Sequence, residues 1–217
     1  MHIYEGVLAG TPHGQEVLVA SALAAAAGTA YGLYKLDYER VPRVAVLSSA
    51  FFVASLIHLP LPVTVHLTLN GLMGLILGWA TFPAVLIAVL LQALFFPPFG
   101  GLTTLGLNTL VMALPGVVCH YLFRRAVRSE SEARVMRTGF AAGATGIVLG
   151  ASLAAAALLL SGEQFRELGY GLLIANLPLA VLEGLVTGSV VVLLRKVCPE
   201  LLEAPVLAHT PQEVYHG

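Results

Sequence analysis

The chain begins Met1-His2-Ile3-Tyr4-Glu5-Gly6, a start whose residue types can chelate a metal ion. A free terminal amine, the amide nitrogen of His2 and the His2 ring would close two fused chelate rings around one ion. The first apolar stretch is preceded by no basic residue, so we expect no removable signal peptide and expect Met1 and His2 to persist in the mature protein. The alternative is a solvated terminal histidine without a ligand role.

A second candidate ligand, His66, opens a predicted membrane span directly after a proline-containing loop. If the N-terminal residues fold back, His66 would add a fourth nitrogen to the three from Met1 and His2. Four nitrogens in a plane favour nickel(II) or copper(II), whereas magnesium and calcium prefer oxygen ligands. We therefore expect nickel, or its neighbour cobalt, as the substrate. His58 has the same status and is a second-choice ligand, and an interfacial polar role is the alternative for both histidines.

Ligands in lipid need neighbouring polar groups to hold them in place. Asn70 would lie one helical turn from His66 and on the same face, so it is the first candidate to brace the His66 ring. Weaker candidates are Glu5, Asn108, Thr104 and Gln92. For the Asn, Thr and Gln candidates the alternative is a hydrogen bond that only joins helices. Glu5 could accept from a buried terminal amide or merely face water.

The composition predicts an integral membrane protein. Of 217 residues, 58% are hydrophobic and 11% are charged, and the mean hydropathy is +0.87. Because a crossing helix needs about 20 apolar residues, the chain has room for one domain of about seven spans. We predict an all-α transmembrane domain over residues 1–198 and a polar cytoplasmic tail over 199–217. The predicted spans are Gln15–Tyr34, Val41–Leu59, His66–Trp79, Phe82–Phe96, Leu102–Phe123, Val135–Leu160 and Tyr170–Leu194.

Basic residues predict the orientation. Ten of the eleven lie in loops that fall on one side of the membrane if seven spans are present, and only Arg166 lies on the other side. The positive-inside rule then places the N-terminus outside and the C-terminus in the cytoplasm. The ten are Lys35, Arg40, Arg43, Arg124, Arg125, Arg128, Arg134, Arg137, Arg195 and Lys196.

Longer stretches carry a family resemblance. The opening hexapeptide, the segment from His66 to Gly74 (His-Leu-Thr-Leu-Asn-Gly-Leu-Met-Gly), the segment from Gly100 to Asn108 and the segment Glu183 to Gly188 are the clearest. With these, the chain resembles the substrate-binding subunit of energy-coupling-factor nickel/cobalt transporters, the NikM/CbiM family. The resemblance implies a six-helix core with one extra N-terminal helix, whose leading tail inserts into the core. It also implies that Met1, His2 and His66 are the metal ligands.

Two departures from the family pattern bear on the substrate. Many relatives carry a Gly-His-Gly-Gly loop where this chain reads Phe96-Pro97-Pro98-Phe99-Gly100-Gly101, so no histidine role can be carried over there. Cobalt-type members often have a Ser-Cys-Ser-His-Pro segment, whereas this chain has Val63-Thr64-Val65-His66-Leu67. The second difference favours nickel over cobalt.

The energy for transport must come from other chains. No GxxxxGK[ST] motif is present in the sequence, so the chain cannot cradle ATP phosphates in the P-loop manner. The resemblance implies a membrane coupling subunit, cytoplasmic ATPase subunits and possibly a small accessory membrane subunit, in a prokaryotic inner membrane. Two ridges of small residues could receive a partner helix or pack within the same bundle. The ridges are Ala20, Ala24, Gly28 and Gly32, and Gly146, Gly150 and Ala154.

Other function classes have weaker support. A secondary carrier or channel could line a polar path with Glu183, Asn108 and Asn176, and this alternative stays open. An intramembrane enzyme is disfavoured, because the sequence has no HExxH motif and no paired aspartate motif. We therefore predict a transport subunit without enzymatic activity, prosthetic group or nucleic-acid partner. By resemblance, Glu183 has a structural or coupling role rather than a ligand role.

Overall fold

The computed structural model describes residues 3–4, 6–56, 58–59, 65–96 and 100–203. Within this part of the chain there are seven α-helices and one pair of two-residue strands. The helices are α1 Pro12–Tyr34, α2 Val41–Ser55, α3 Asn70–Leu77, α4 Thr81–Phe95, α5 Leu105–Phe123, α6 Glu132–Ser161 and α7 Arg166–Val197. The strands β1 His58–Leu59 and β2 Val65–His66 are antiparallel, with His58 opposite His66.

The predicted helical architecture is confirmed, but two predicted boundaries are wrong. The second span was expected to reach Leu59 and the third to begin at His66, whereas α2 ends at Ser55 and α3 begins at Asn70. Between them, His58–Leu59 and Val65–His66 pair as short strands. The prediction was wrong here because hydropathy alone does not distinguish a buried helix from a buried strand. His66 therefore lies on a strand and not on a helix.

Five stretches of the described chain are long and apolar enough to cross a membrane. They are Pro12–Tyr34, Asn70–Phe95, Leu105–Phe123, Glu132–Ser161 and Glu163–Val197. The second stretch contains both α3 and α4, which are separated at Gly78, where φ is +55°. Seven crossings therefore remain a prediction.

Loop contacts bring the basic segments to one end of the bundle. Arg40, before α2, and Arg128, before α6, lie 3.4 and 3.2 Å from the two carboxylate oxygens of Glu203. At the end of α7, Lys196 lies 2.8 Å from Glu132 at the start of α6. The loops predicted to share one side of the membrane thus meet at the same end of the molecule.

The first helix begins at the opposite end. Thr11 is the N-cap of α1, since its hydroxyl accepts a hydrogen bond from the amide of Gly14, at 3.1 Å, and Pro12 occupies the first helical position. The same hydroxyl lies within 3.2 Å of the carbonyl of Ser161, the last residue of α6. This contact fixes where the N-terminal tail enters the bundle.

Close backbone approaches position α3 in the interior. A Cβ atom on Gly71 would come within 2.3 Å of the Ala142 carbonyl oxygen, and one on Gly74 within 1.9 Å of the Gly116 carbonyl oxygen. Helix α3 therefore packs against the middle of both α5 and α6, at separations that only glycine permits. Its N-terminal turn, directly after His66, is thereby held inside the bundle.

The predicted ridges of small residues serve mostly for this internal packing. Gly28 and Gly32 of α1 face Phe82 and the backbone of Trp79, and Gly146 of α6 faces Gly71. The glycine positions of both ridges are thus covered by the protein itself. Only the two alanine positions at the start of the α1 ridge, Ala20 and Ala24, are exposed.

Candidate metal site

His66 lies at the end of β2 and is 3% exposed. Its ring Nδ1 lies 3.1 Å from the carbonyl oxygen of Leu67. Because a carbonyl oxygen only accepts, Nδ1 carries the hydrogen in this bond, and in the neutral ring the lone pair is then on Nε2. A histidine held in this tautomer by a backbone carbonyl is prepared to bind a metal through Nε2.

The backbone after His66 is held by a carboxylate from a distant helix. The amides of Thr68 and Leu69 both donate to Glu183 Oε1, the latter at 2.9 Å, and the Leu69 amide also lies 3.0 Å from Oε2. Glu183 stands in the middle of α7 and is fully buried. It therefore holds the corner between β2 and α3, and the structural or coupling role predicted for Glu183 stays a prediction.

The N-terminal tail enters the bundle interior at Ile3, which is 4% exposed. The Ile3 amide donates to Asn108 Oδ1 at 2.9 Å, and the Ile3 carbonyl accepts from Asn108 Nδ2 at 3.1 Å. Asn108 is buried in α5 and is braced by the Thr104 hydroxyl, 3.2 Å from Nδ2. The amide side chain of Asn108 thus satisfies both polar groups of the residue that follows His2.

One of the three predicted ligands is described. Met1, His2 and Glu5 lie outside the described residues, as does the side chain of His58, whose backbone pairs with His66. Among the described residues there is no group of three or more His, Cys, Asp or Glu side chains that could hold a metal ion.

Asn70 does not make the predicted contact with the His66 ring. Asn70 is fully buried, and within the described chain neither of its side-chain polar atoms has a hydrogen-bond partner. The prediction assumed a continuous helix from His66 to Asn70, and the strand at His66 removes the helical spacing. The Leu67 carbonyl bonds the ring instead.

Two other polar residues that were candidates serve in separate contacts. Gln92 of α4 donates to the Ser55 hydroxyl at 2.5 Å and so fastens α4 to α2. Asn176 donates to the Leu172 carbonyl of its own helix, at 2.7 Å, and borders an apolar cavity of about 120 Å³ between α6 and α7. Glu183, Asn108 and Asn176 thus form hydrogen bonds with three different sets of partners. These contacts give no support to a polar path lined by all three.

Together these features define a helical membrane protein whose N-terminal tail and β2–α3 corner are both held by buried polar side chains. The chain belongs to the CbiM family, described as a cobalt uptake substrate-specific transmembrane region, which matches residues 2–201. The family predicted from the resemblance is therefore confirmed.

Individual relatives agree with this assignment. The chain is 43% identical over 205 residues to a Haemophilus influenzae protein named for metal transport, with 93% of this chain and 97% of that protein covered. It is 32% identical over 189 residues to the fused nickel transport protein NikMN of Rhodobacter capsulatus, covering 77% of this chain and 54% of the fused protein. A crystal structure of a transition metal transporter, 23% identical, superposes with a TM-score of 0.71 over 91% of this chain and 93% of that chain.

The comparisons confirm the predicted class of protein, a metal transport protein. The relatives carry the names of metal transport proteins, and the family description names cobalt uptake. The likeness in structure supports the all-α membrane fold.

Proposed function

We propose that this chain captures a divalent transition-metal ion, nickel in preference to cobalt, as the substrate-specific subunit of an ATP-driven energy-coupling-factor transporter. The observation that carries the proposal is the double hydrogen bond between Ile3 and Asn108 inside the bundle. Ile3 directly follows His2 in the sequence, so its contact with Asn108 supports a ligand role for His2. A fully solvent-exposed tail would not form these two buried hydrogen bonds.

The proposed ligands are the Met1 amine, the His2 amide nitrogen, the His2 ring and Nε2 of His66. The hydrogen bond from Nδ1 of His66 to the Leu67 carbonyl supports this assignment, because it orients Nε2 as the donor. Four nitrogen donors suit square-planar nickel(II), and such sites bind nickel(II) more tightly than cobalt(II). Glu5 and His58 are proposed as supporting groups near the ion.

Transport is proposed to depend on partner subunits. The sequence has no GxxxxGK[ST] motif, so a membrane coupling subunit and cytoplasmic ATPases would supply the energy, with a small accessory membrane subunit as a further partner. The basic end of the bundle would face the cytoplasm by the positive-inside rule, and the N-terminal tail would receive the ion from outside, in a prokaryotic inner membrane. The fused relative matches the chain over only about half of its own length, which is compatible with a partner region in the rest of that protein.

The test is metal binding by the purified full chain in detergent. Elemental analysis and titration with nickel chloride should give one ion per chain, with the absorption of a planar nickel centre. We expect His2→Ala and His66→Ala to lose most of the affinity, and one extra residue placed ahead of Met1 to do the same. His13→Ala is the matched control, because His13 is exposed at the start of α1.

Two results would refute the proposal. Undiminished nickel affinity in both histidine variants would show that His2 and His66 are not ligands. Undiminished affinity after extension of the N-terminus would exclude the Met1 amine from the ligand set. Uptake into vesicles that is driven by an ion gradient, without ATPase partners, would instead favour a secondary carrier.

A further inference from the structure

We infer that Glu183 is a positioning residue for the metal site: its carboxylate holds the β2–α3 corner so that His66 presents its ring at the geometry that the ion requires. This inference rests on the proposed function, since it concerns the same site. It assigns Glu183 neither to the ligands nor to a polar path across the membrane.

The contacts of the carboxylate lead to this role. Oε1 accepts from the amides of Thr68 and Leu69 and lies 3.4 Å from the Thr68 hydroxyl, and Oε2 lies 3.0 Å from the Leu69 amide. All of these donors belong to the second and third residues after His66. Glu183 is 114 positions beyond Leu69 in sequence, so the bond joins two distant parts of the fold.

The corner needs an external acceptor. Leu69, the N-cap of α3, has a φ of +49°, a left-handed conformation that is costly for a residue with a side chain, and it provides no side-chain cap for the helix. The amides at this helix start would otherwise be unpaired in the bundle interior. The Glu183 carboxylate supplies acceptors for the amides of Thr68 and Leu69 from across the fold.

The fixed corner determines the position of His66. The Thr68 amide is two residues from His66, and β2 itself is only two residues long, so little other regular structure restrains this backbone. Metal ligands must be held to within about 0.5 Å of the binding geometry, and the groups that orient them typically change affinity about 10- to 100-fold when removed. Releasing the corner should therefore weaken the His66 bond to the metal and alter the coordination.

The experiment compares Glu183→Met and Glu183→Gln with the wild-type chain. Methionine retains most of the volume and accepts no hydrogen bond of comparable strength, so we expect nickel affinity to fall about 30-fold, with a changed absorption spectrum. Glutamine retains one oxygen that both amides can reach, so we expect a loss of only about threefold and a spectrum like that of the wild type. Glu167→Gln, an exposed position on the same helix, is the control.

Each outcome decides the inference. Wild-type affinity and spectrum in the methionine variant would overturn it, even if the melting temperature fell, because the role would then be structural only. Equal losses in the two variants would also overturn it, since the charge and not the hydrogen bonding would matter. If Glu183→Met does not fold, wild-type affinity in Glu183→Gln overturns the inference and a loss of about threefold with an unchanged spectrum supports it. A wild-type chain that binds neither nickel nor cobalt would instead refute the proposed function, and the inference with it.

Discussion

Replacing Asn108 with alanine should undock the N-terminal tail while leaving the helical bundle intact. The substitution removes both hydrogen bonds to Ile3, at 2.9 and 3.1 Å. A buried hydrogen bond of this kind contributes about 0.5–1.5 kcal/mol net, so the docked tail loses about 1–3 kcal/mol. If metal binding requires the docked tail, this loss becomes a roughly 5- to 150-fold weaker apparent affinity for nickel, since 1.4 kcal/mol corresponds to a factor of ten.

The assay is calorimetric titration of nickel into the purified chain, with a chelator competition for tight binding. Asn176→Ala is the matched control, because Asn176 is 3% exposed and its side-chain amide bonds within its own helix. We expect this control to bind nickel within about twofold of the wild type, since its hydrogen bond lies within its own helix and does not involve the tail. A folded Asn108→Ala variant with wild-type affinity would refute the reasoning, because the tail contact would then have no part in binding.

Two further predictions concern packing and pH. Gly74→Ala should destabilise the protein by about 2 kcal/mol or more, because the new Cβ would stand 1.9 Å from the Gly116 carbonyl oxygen, whereas Gly171→Ala, with nothing within 4 Å, should be neutral or stabilising in a melting experiment. Equal melting temperatures for the two variants would contradict this. Nickel binding should weaken as the pH falls below about 6.5, because free imidazoles protonate there and protons compete with the metal. Titrations in buffers of different ionisation enthalpy should show proton release on binding. A nickel affinity that does not change between pH 5 and pH 8 would count against imidazole ligands.

Local sequence patterns located helices α5 and α6 closely. The predicted spans Leu102–Phe123 and Val135–Leu160 fall within three residues of helices α5 and α6 at every end. A long apolar run flanked by charged residues indicates a segment that is surrounded by lipid, and it therefore predicts a membrane-spanning helix. The grouping of Arg40 and Arg128 at one end likewise followed from counting crossings.

Local patterns failed where a short apolar segment had to choose between conformations. The stretch that contains His66 is as apolar as its neighbours, so it was predicted to continue the third helix, and Asn70 was placed beside His66 by helical spacing. The structure has a strand there, followed by a left-handed residue at Leu69. At this point the Glu183 carboxylate, from a distant helix, accepts hydrogen bonds from the amides of Thr68 and Leu69.

The sequence alone was enough to predict a membrane bundle and to suggest metal ligands at its start, because hydropathy, charge asymmetry and ligand chemistry are properties of residues in order along the chain. Only the tertiary structure decided which polar groups hold that start and the His66 corner. The contacts of Asn108 with Ile3 and of Glu183 with Leu69 join residues more than 100 positions apart. No local periodicity encodes such pairs, because they form only when packing brings separate helices together and buried amides must find acceptors.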